Sequence, residues 1–141
     1  SDSNINKIIN YINSLAIYKS YSKISLKNNS EETIIKQKIK NELSYLRYNL
    51  SHNGTKYLIE TIYILYTLDS YYDDNLETDI YPLVAEKFGR HWNNIKCSIR
   101  YATEIMTYEC EEKKLLDYLY NYRFSNSGPR TIIDAVLGKI K

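Results

Sequence analysis

No stretch of about 18 apolar residues occurs in this chain, so no membrane-spanning helix is expected. Glycine is scarce. Gly54, Gly89, Gly128 and Gly138 each stand alone, which leaves no glycine-rich loop to cradle phosphates. Cysteine is limited to Cys97 and Cys110, too few for a disulfide framework; two reduced thiols in a cytoplasmic protein is the simplest expectation. With His52 and His91 they make no zinc-ligand spacing, and no metal or other cofactor is expected. Glu60, Asp69, Asp73 and Asp74 form no carboxylate pair beside a base, and His52, next to Asn53-Gly54, is expected in a turn, so an enzyme is not expected. The opening "SDSNINKIIN" lacks the basic-then-apolar layout of a secretory signal, and the chain carries neither internal repeats nor a low-complexity tail.

What the chain has in abundance is Ile, Asn, Lys and Tyr, the last at 16 of 141 residues, the mark of an A·T-rich genome. Tyr then replaces other apolar residues in the core before it offers itself as a base-stacking platform. A length of 141 residues fits one domain, with an extension at most, and supports a core without staples. The net charge of +2 neither requires nor excludes a nucleic-acid partner, because a small basic face suffices for one.

Helical periodicity dominates. Ile5, Ile8, Ile9, Ile12 and Leu15 fall on one face of a helix over residues 3–18. "YSKISLKNNS" follows as a linker or a short edge strand. Ser30 is placed to cap a long helix, with Glu31 and Glu32 in its first turn and Ile34, Ile35, Ile39, Leu43 and Leu46 along one side. "SHNGT" signals a turn. The nearly all-apolar stretch from Tyr57 to Tyr72 predicts a buried central helix, and "DDNLETD" predicts a loop. Further helices are expected over 80–88, opened by Pro82, and over 92–109, 111–122 and 131–141. The fold class is all-α, a compact helical bundle.

One segment, "YPLVAEKFGRHWNNIKCSIRYA", raises a sharper question: why a glycine between two helical stretches? Ala85 is small enough for a second helix to cross it. Gly89, four residues on, tolerates positive φ. Ile95 points back into the pair, with Val84, Phe88 and Ile99 as further buried contacts. Together they predict a helix-turn-helix. Arg90, His91, Asn93, Asn94, Lys96, Arg100 and Tyr101 would then project outward. Asn reads adenine, Arg and Lys reach guanine or phosphate, and only Glu104 opposes the charge. Trp92 is expected to pack at the turn.

Over Lys38 to Lys141 the sequence also resembles the C-terminal DNA-binding effector domain of the master sporulation response regulators of bacilli and clostridia. The resemblance rests on "LRYNLSHNGTKYLIETI", "YPLVAEKFG", "NNIKCSIRYATE" and "FSNSGPRTIIDAVLGKIK", in that order. It implies major-groove binding to double-stranded DNA, head-to-tail dimers on neighbouring sites and a contact with RNA polymerase, here matched by "YECEEKKLLDYLYNYR". Carried over by position, the DNA-contacting set is Asn93, Asn94, Lys96, Cys97, Arg100 and Tyr101. Where that family has Ser-Arg-x-Glu-Arg, this chain has Asn93-Asn94-Ile95-Lys96-Cys97, a change that suits a more A·T-rich site. The family's receiver domain has no counterpart. The chain is then either a fragment of a larger protein or, the favoured expectation, a stand-alone effector, with residues 1–37 a helical extension and linker and 38–141 an effector domain serving transcription, a plasmid or another mobile element. A second reading is a protein-interaction module that has lost DNA binding and pairs with a related regulator.

Overall fold

The computed structural model describes residues 5–10, 29–68, 75–122 and 128–141. Among them every regular element is helical: α1 (5–10), α2 (Asn29–Tyr45), α3 (Asn53–Leu68), a π-turn (Leu76–Ile80), α4 (Tyr81–Phe88), α5 (Trp92–Glu109), α6 (Glu112–Tyr118), a 3₁₀ turn (Tyr120–Tyr122) and α7 (Pro129–Ile140). The chain is an all-α bundle built around α3, which touches α2, α4, α5 and α7. Its residues 57–65 are buried without a break, as an all-round apolar helix requires.

The other helices bury one stripe each. On α2 the stripe is Ile35, Ile39 and Leu43, continued by Leu46; Ile34, expected on that side, lies off it and is 57% exposed. The expected boundary between residues 37 and 38 falls inside this helix, which starts one residue before the expected Ser30 cap. On α5 the stripe is Ile95, Ile99, Ala102 and Met106, and on α7 it is Ile132, Ile133, Ala135 and Val136. Of the stretch 21–30 read as a linker or short edge strand, residues 21–28 lie outside the described residues, and Asn29 and Ser30 belong to α2. The segment expected as a loop before Pro82 includes the π-turn, where the Asn75 side chain accepts from the Glu77 N–H and the Asp79 carboxylate accepts from the Asn75 N–H. The expected helix over 111–122 splits into α6 and the 3₁₀ turn.

Two helices end in the same hydrogen-bonded motif. After α4, Gly89 is left-handed at φ 64°, the Arg90 N–H donates to the Ala85 carbonyl at 2.9 Å, and the Gly89 N–H donates to that of Glu86 at 3.4 Å. After α2, the Tyr48 N–H donates to the Leu43 carbonyl at 3.0 Å and the Arg47 N–H to that of Ser44 at 3.0 Å. Here the left-handed residue is Arg47, at φ 73°. A side chain in that conformation costs about 1–2 kcal/mol, partly offset by the roughly 0.5–1 kcal/mol of chain entropy that a glycine would lose on folding. Arg47→Gly is therefore expected to stabilise the protein by about 0.5 kcal/mol, seen as a rise of about 2 °C in thermal unfolding.

The Asn-Gly pair of "SHNGT" does not turn the chain. Asn53 and Gly54 lie in the first turn of α3. A Cβ on Gly54 would run into the Ser98 carbonyl of α5 and come within 2.9 Å of Ala102 Cβ, so the glycine lets two helices cross at backbone contact.

Candidate nucleic-acid interface

Ala85, Val84, Ile95 and Ile99 are buried where α4 and α5 meet, and the left-handed Gly89 sits between the two helices. Phe88, expected in the same buried set, is 37% exposed and meets the Tyr57 ring edge-on at a centroid distance of 4.9 Å. Trp92 is half-buried against the core.

With Ile95 and Ile99 pointing inward, helical geometry fixes what points outward. Asn93, Cys97 and Tyr101, four residues apart, form the crest of α5, and all three are exposed, Tyr101 to 64%. Asn94 is exposed on one flank, and Cys97 and Tyr101 of the crest border a shallow hollow lined also by His52, Asn53 and Ser98. Arg100 is exposed on the other. Arg90 and His91 precede the helix, both exposed. His91 has a structural task as well: its Nδ1 accepts from the Asn93 N–H at 3.2 Å and caps α5.

Lys96 departs from the expectation. It is half-buried, and its Nζ lies 2.7 Å from Glu77 Oε1 in the π-turn. Glu104 is thus not the only carboxylate opposing the basic face. Lys96, Arg100 and Glu77 line an open cleft together with Tyr81 of α4 and Arg130 at the start of α7. Burial pushes the Tyr81 hydroxyl up to about 12; Glu77 adds to the rise, and Arg100 and Arg130 work against it. The last two cations are therefore close enough to act on the cleft electrostatically.

Glu77 and Arg130 escaped the sequence reading. Arg130 ends the stretch "SNSGPR", which reads as a loop before a helix over 131–141, whereas α7 starts at Pro129 and takes Arg130 into its first turn. Glu77 sat in what looked like a polar loop, and only the π-turn and its Asn75 cap bring it to Lys96.

Comparison with protein-family models, curated proteins and solved structures finds no match. What the site can do thus rests on its own geometry. No group of three or more His, Cys, Asp or Glu side chains among the described residues is arranged to hold a metal ion. Cys97, exposed, and Cys110, buried, are free thiols. No helix among the described residues is long and apolar enough to cross a membrane. The crest of α5 offers hydrogen-bonding and stacking groups, and its Arg100 flank offers positive charge.

Proposed function

We propose that this chain binds double-stranded DNA sequence-specifically, with α4, the Gly89 turn and α5 acting as a helix-turn-helix and α5 entering the major groove. The observation that carries this reading is the register of α5. Ile95 and Ile99 are fully buried, which leaves Asn93, Asn94, Cys97, Arg100 and Tyr101 exposed along a helix narrow enough for that groove. Asn93 and Asn94 lie in the first turn, where a recognition helix meets base edges. In this reading Arg90 and His91 approach the backbone, while Lys96 and Arg100 contact phosphates. The resemblance to the sporulation effector domains supports the same face and adds head-to-tail dimers on neighbouring sites, a contact with RNA polymerase and a role in transcription. Asn and Lys in place of Arg and Glu favour an A·T-rich target.

Mobility shifts over a pool of random duplexes test the reading. The Lys96→Ala/Arg100→Ala double variant is expected to lose about ten- to a hundredfold in affinity and to lower the salt slope by about 2, one for each phosphate contact. Asn93→Ala and Asn94→Ala are expected to change which duplexes are selected, each at a cost of about 1–3 kcal/mol on the preferred base. Unchanged binding by the double variant removes this face from consideration.

One observation favours the second reading, a protein-interaction module. Ile5, Ile8 and Ile9 of α1 are all exposed. A stable complex with a related regulator in size-exclusion chromatography, with no duplex binding, would decide for it.

A further inference from the structure

The cleft beside α5 has a feature that a plain phosphate-binding surface lacks. Lys96, Arg100 and Arg130 reach it from two helices, α5 and α7, and a carboxylate from a third element is already seated there. Glu77 holds Lys96 at 2.7 Å, yet the pair is not sealed in: the Lys96 side chain is 26% exposed and that of Glu77 46%. Two devices hold Glu77 in place. The Asn75 side chain accepts from its N–H at 3.0 Å, and the Asp79 carboxylate closes the same turn through the Asn75 N–H at 3.2 Å. The carboxylate is therefore presented by an ordered turn. An ion pair this accessible contributes at most about 1 kcal/mol, well within what a competing phosphate can replace.

We propose that Glu77 is a counter-ion gate on the DNA interface: it occupies Lys96 in the free protein and yields that lysine to a backbone phosphate of bound duplex, which then lies among Lys96, Arg100 and Arg130. This inference rests on the DNA-binding reading above and extends it to α7, outside the helix-turn-helix. A phosphodiester is the ligand that fits. It carries one negative charge to replace one carboxylate, and Arg100 and Arg130 supply the planar donors that suit phosphate oxygens. A diester joined to a duplex also arrives already aligned with α5, whereas a free anion would have to be held by the cleft alone. Arg130 pairs with Asp134 at 3.4 Å in the same helix, and the two side chains are each more than two-fifths exposed. The gate lowers affinity for any duplex by the same factor, so it holds down non-specific binding without touching base preference.

The test compares wild type, Glu77→Gln and Arg130→Gln on one selected duplex by fluorescence anisotropy across a salt series, with thermal unfolding as the folding control. Glu77→Gln is expected to bind about threefold to fivefold tighter at low salt, the factor set by releasing a pair of that strength. Arg130→Gln is expected to bind severalfold more weakly, with a salt slope smaller by about 1. If wild type binds duplex and both variants match it in affinity and slope, the gate is overturned while the DNA reading stands. If wild type binds no duplex in the pool, both fall. A parallel titration with inorganic phosphate separates the sources: saturation of the Arg130 and Lys96 side-chain signals by free phosphate, with no duplex competing for them, would assign the cleft to a small anion and overturn the proposal.

Discussion

Gly54→Ala is expected to be the most damaging single-methyl change in this protein. Two effects oppose each other. Replacing glycine by alanine inside a helix gains about 1 kcal/mol in propensity. Against that, the new Cβ meets the backbone carbonyl of Ser98 and stands 2.9 Å from Ala102 Cβ. A flexible side-chain tip could rotate away, but a carbonyl in the middle of α5 cannot move without shifting the helix. Overpacking of that kind costs about 3 kcal/mol or more, so the steric effect wins and the net loss is at least about 2 kcal/mol. A domain of this size would lose about 7 °C or more in thermal unfolding. Gly89→Ala is the matched control. Nothing lies within 4 Å of a Cβ there, and the change costs only the left-handed conformation at φ 64°, about 1 kcal/mol. Equal losses in the two variants would refute the crossing of α3 and α5 at Gly54. Any disturbance of α5 also reaches the proposed DNA-binding face, so, on that proposal, Gly54→Ala should weaken duplex binding more than its distance from Asn93 suggests.

The two glycines show how far the sequence was legible. Gly89 was read correctly because everything it needs is local: Ala85 behind it, Ile95 ahead, and a turn that only tolerates positive φ. Gly54 was misread as a turn because its partner, Ser98, belongs to another helix far along the chain, and Asn-Gly is a strong local signal for something else. The stripes on α2 and α5 were legible for the same local reason, down to the identity of Ile39, Leu43, Ile95 and Ile99 as core. Ile34 and Phe88 were not, since periodicity specifies a face but not how far the neighbouring helices extend over its edges. At the candidate site the exposed set of α5, Lys96 excepted, followed from its inward set. Glu77 did not, because no periodic pattern announces a π-turn that carries a carboxylate to a lysine of the next helix but one.

Glu60→Gln should be the second severe variant, although the residue looked idle in the sequence. It sits on the otherwise apolar α3 at 3% exposure, and its Oε2 lies 2.7 Å from Lys36 Nζ of α2 and 2.9 Å from Lys87 Nζ of α4. One buried carboxylate thus ties three helices together, and Lys36 is held further by Glu32 at 2.7 Å and by its place over the Tyr63 ring. Burial by itself would lower the Lys36 pKa, but the bonds to Glu32 and Glu60 outweigh it and the net shift is upward. A lysine shifted upward contributes its stability in full below its ordinary pKa and loses it only in strong alkali, so the junction is intact at neutral pH. The amide of Glu60→Gln keeps the shape and removes the charge, leaving two ammonium groups facing each other. Both can partly reach water, which places the expected loss at about 2–3 kcal/mol, below that of a fully buried pair broken on one side. Urea unfolding would show it as a lower midpoint at unchanged slope. The triple variant Lys36→Met/Glu60→Leu/Lys87→Met separates charge from packing. Apolar replacement of a whole buried network is often neutral, so the triple should recover most of the loss. Lys87 is the link to the proposed interface, because it ties α4, the helix before the Gly89 turn, to Glu60 of α3. Loosening it lets α4 tilt about the Gly89 turn and misplaces Asn93 and Asn94 relative to any duplex. Glu60→Gln is therefore expected to lose affinity for a selected site beyond its loss of stability, and a variant destabilised yet unchanged in duplex affinity would show that α4 and α5 move as one piece without the Glu60 tether.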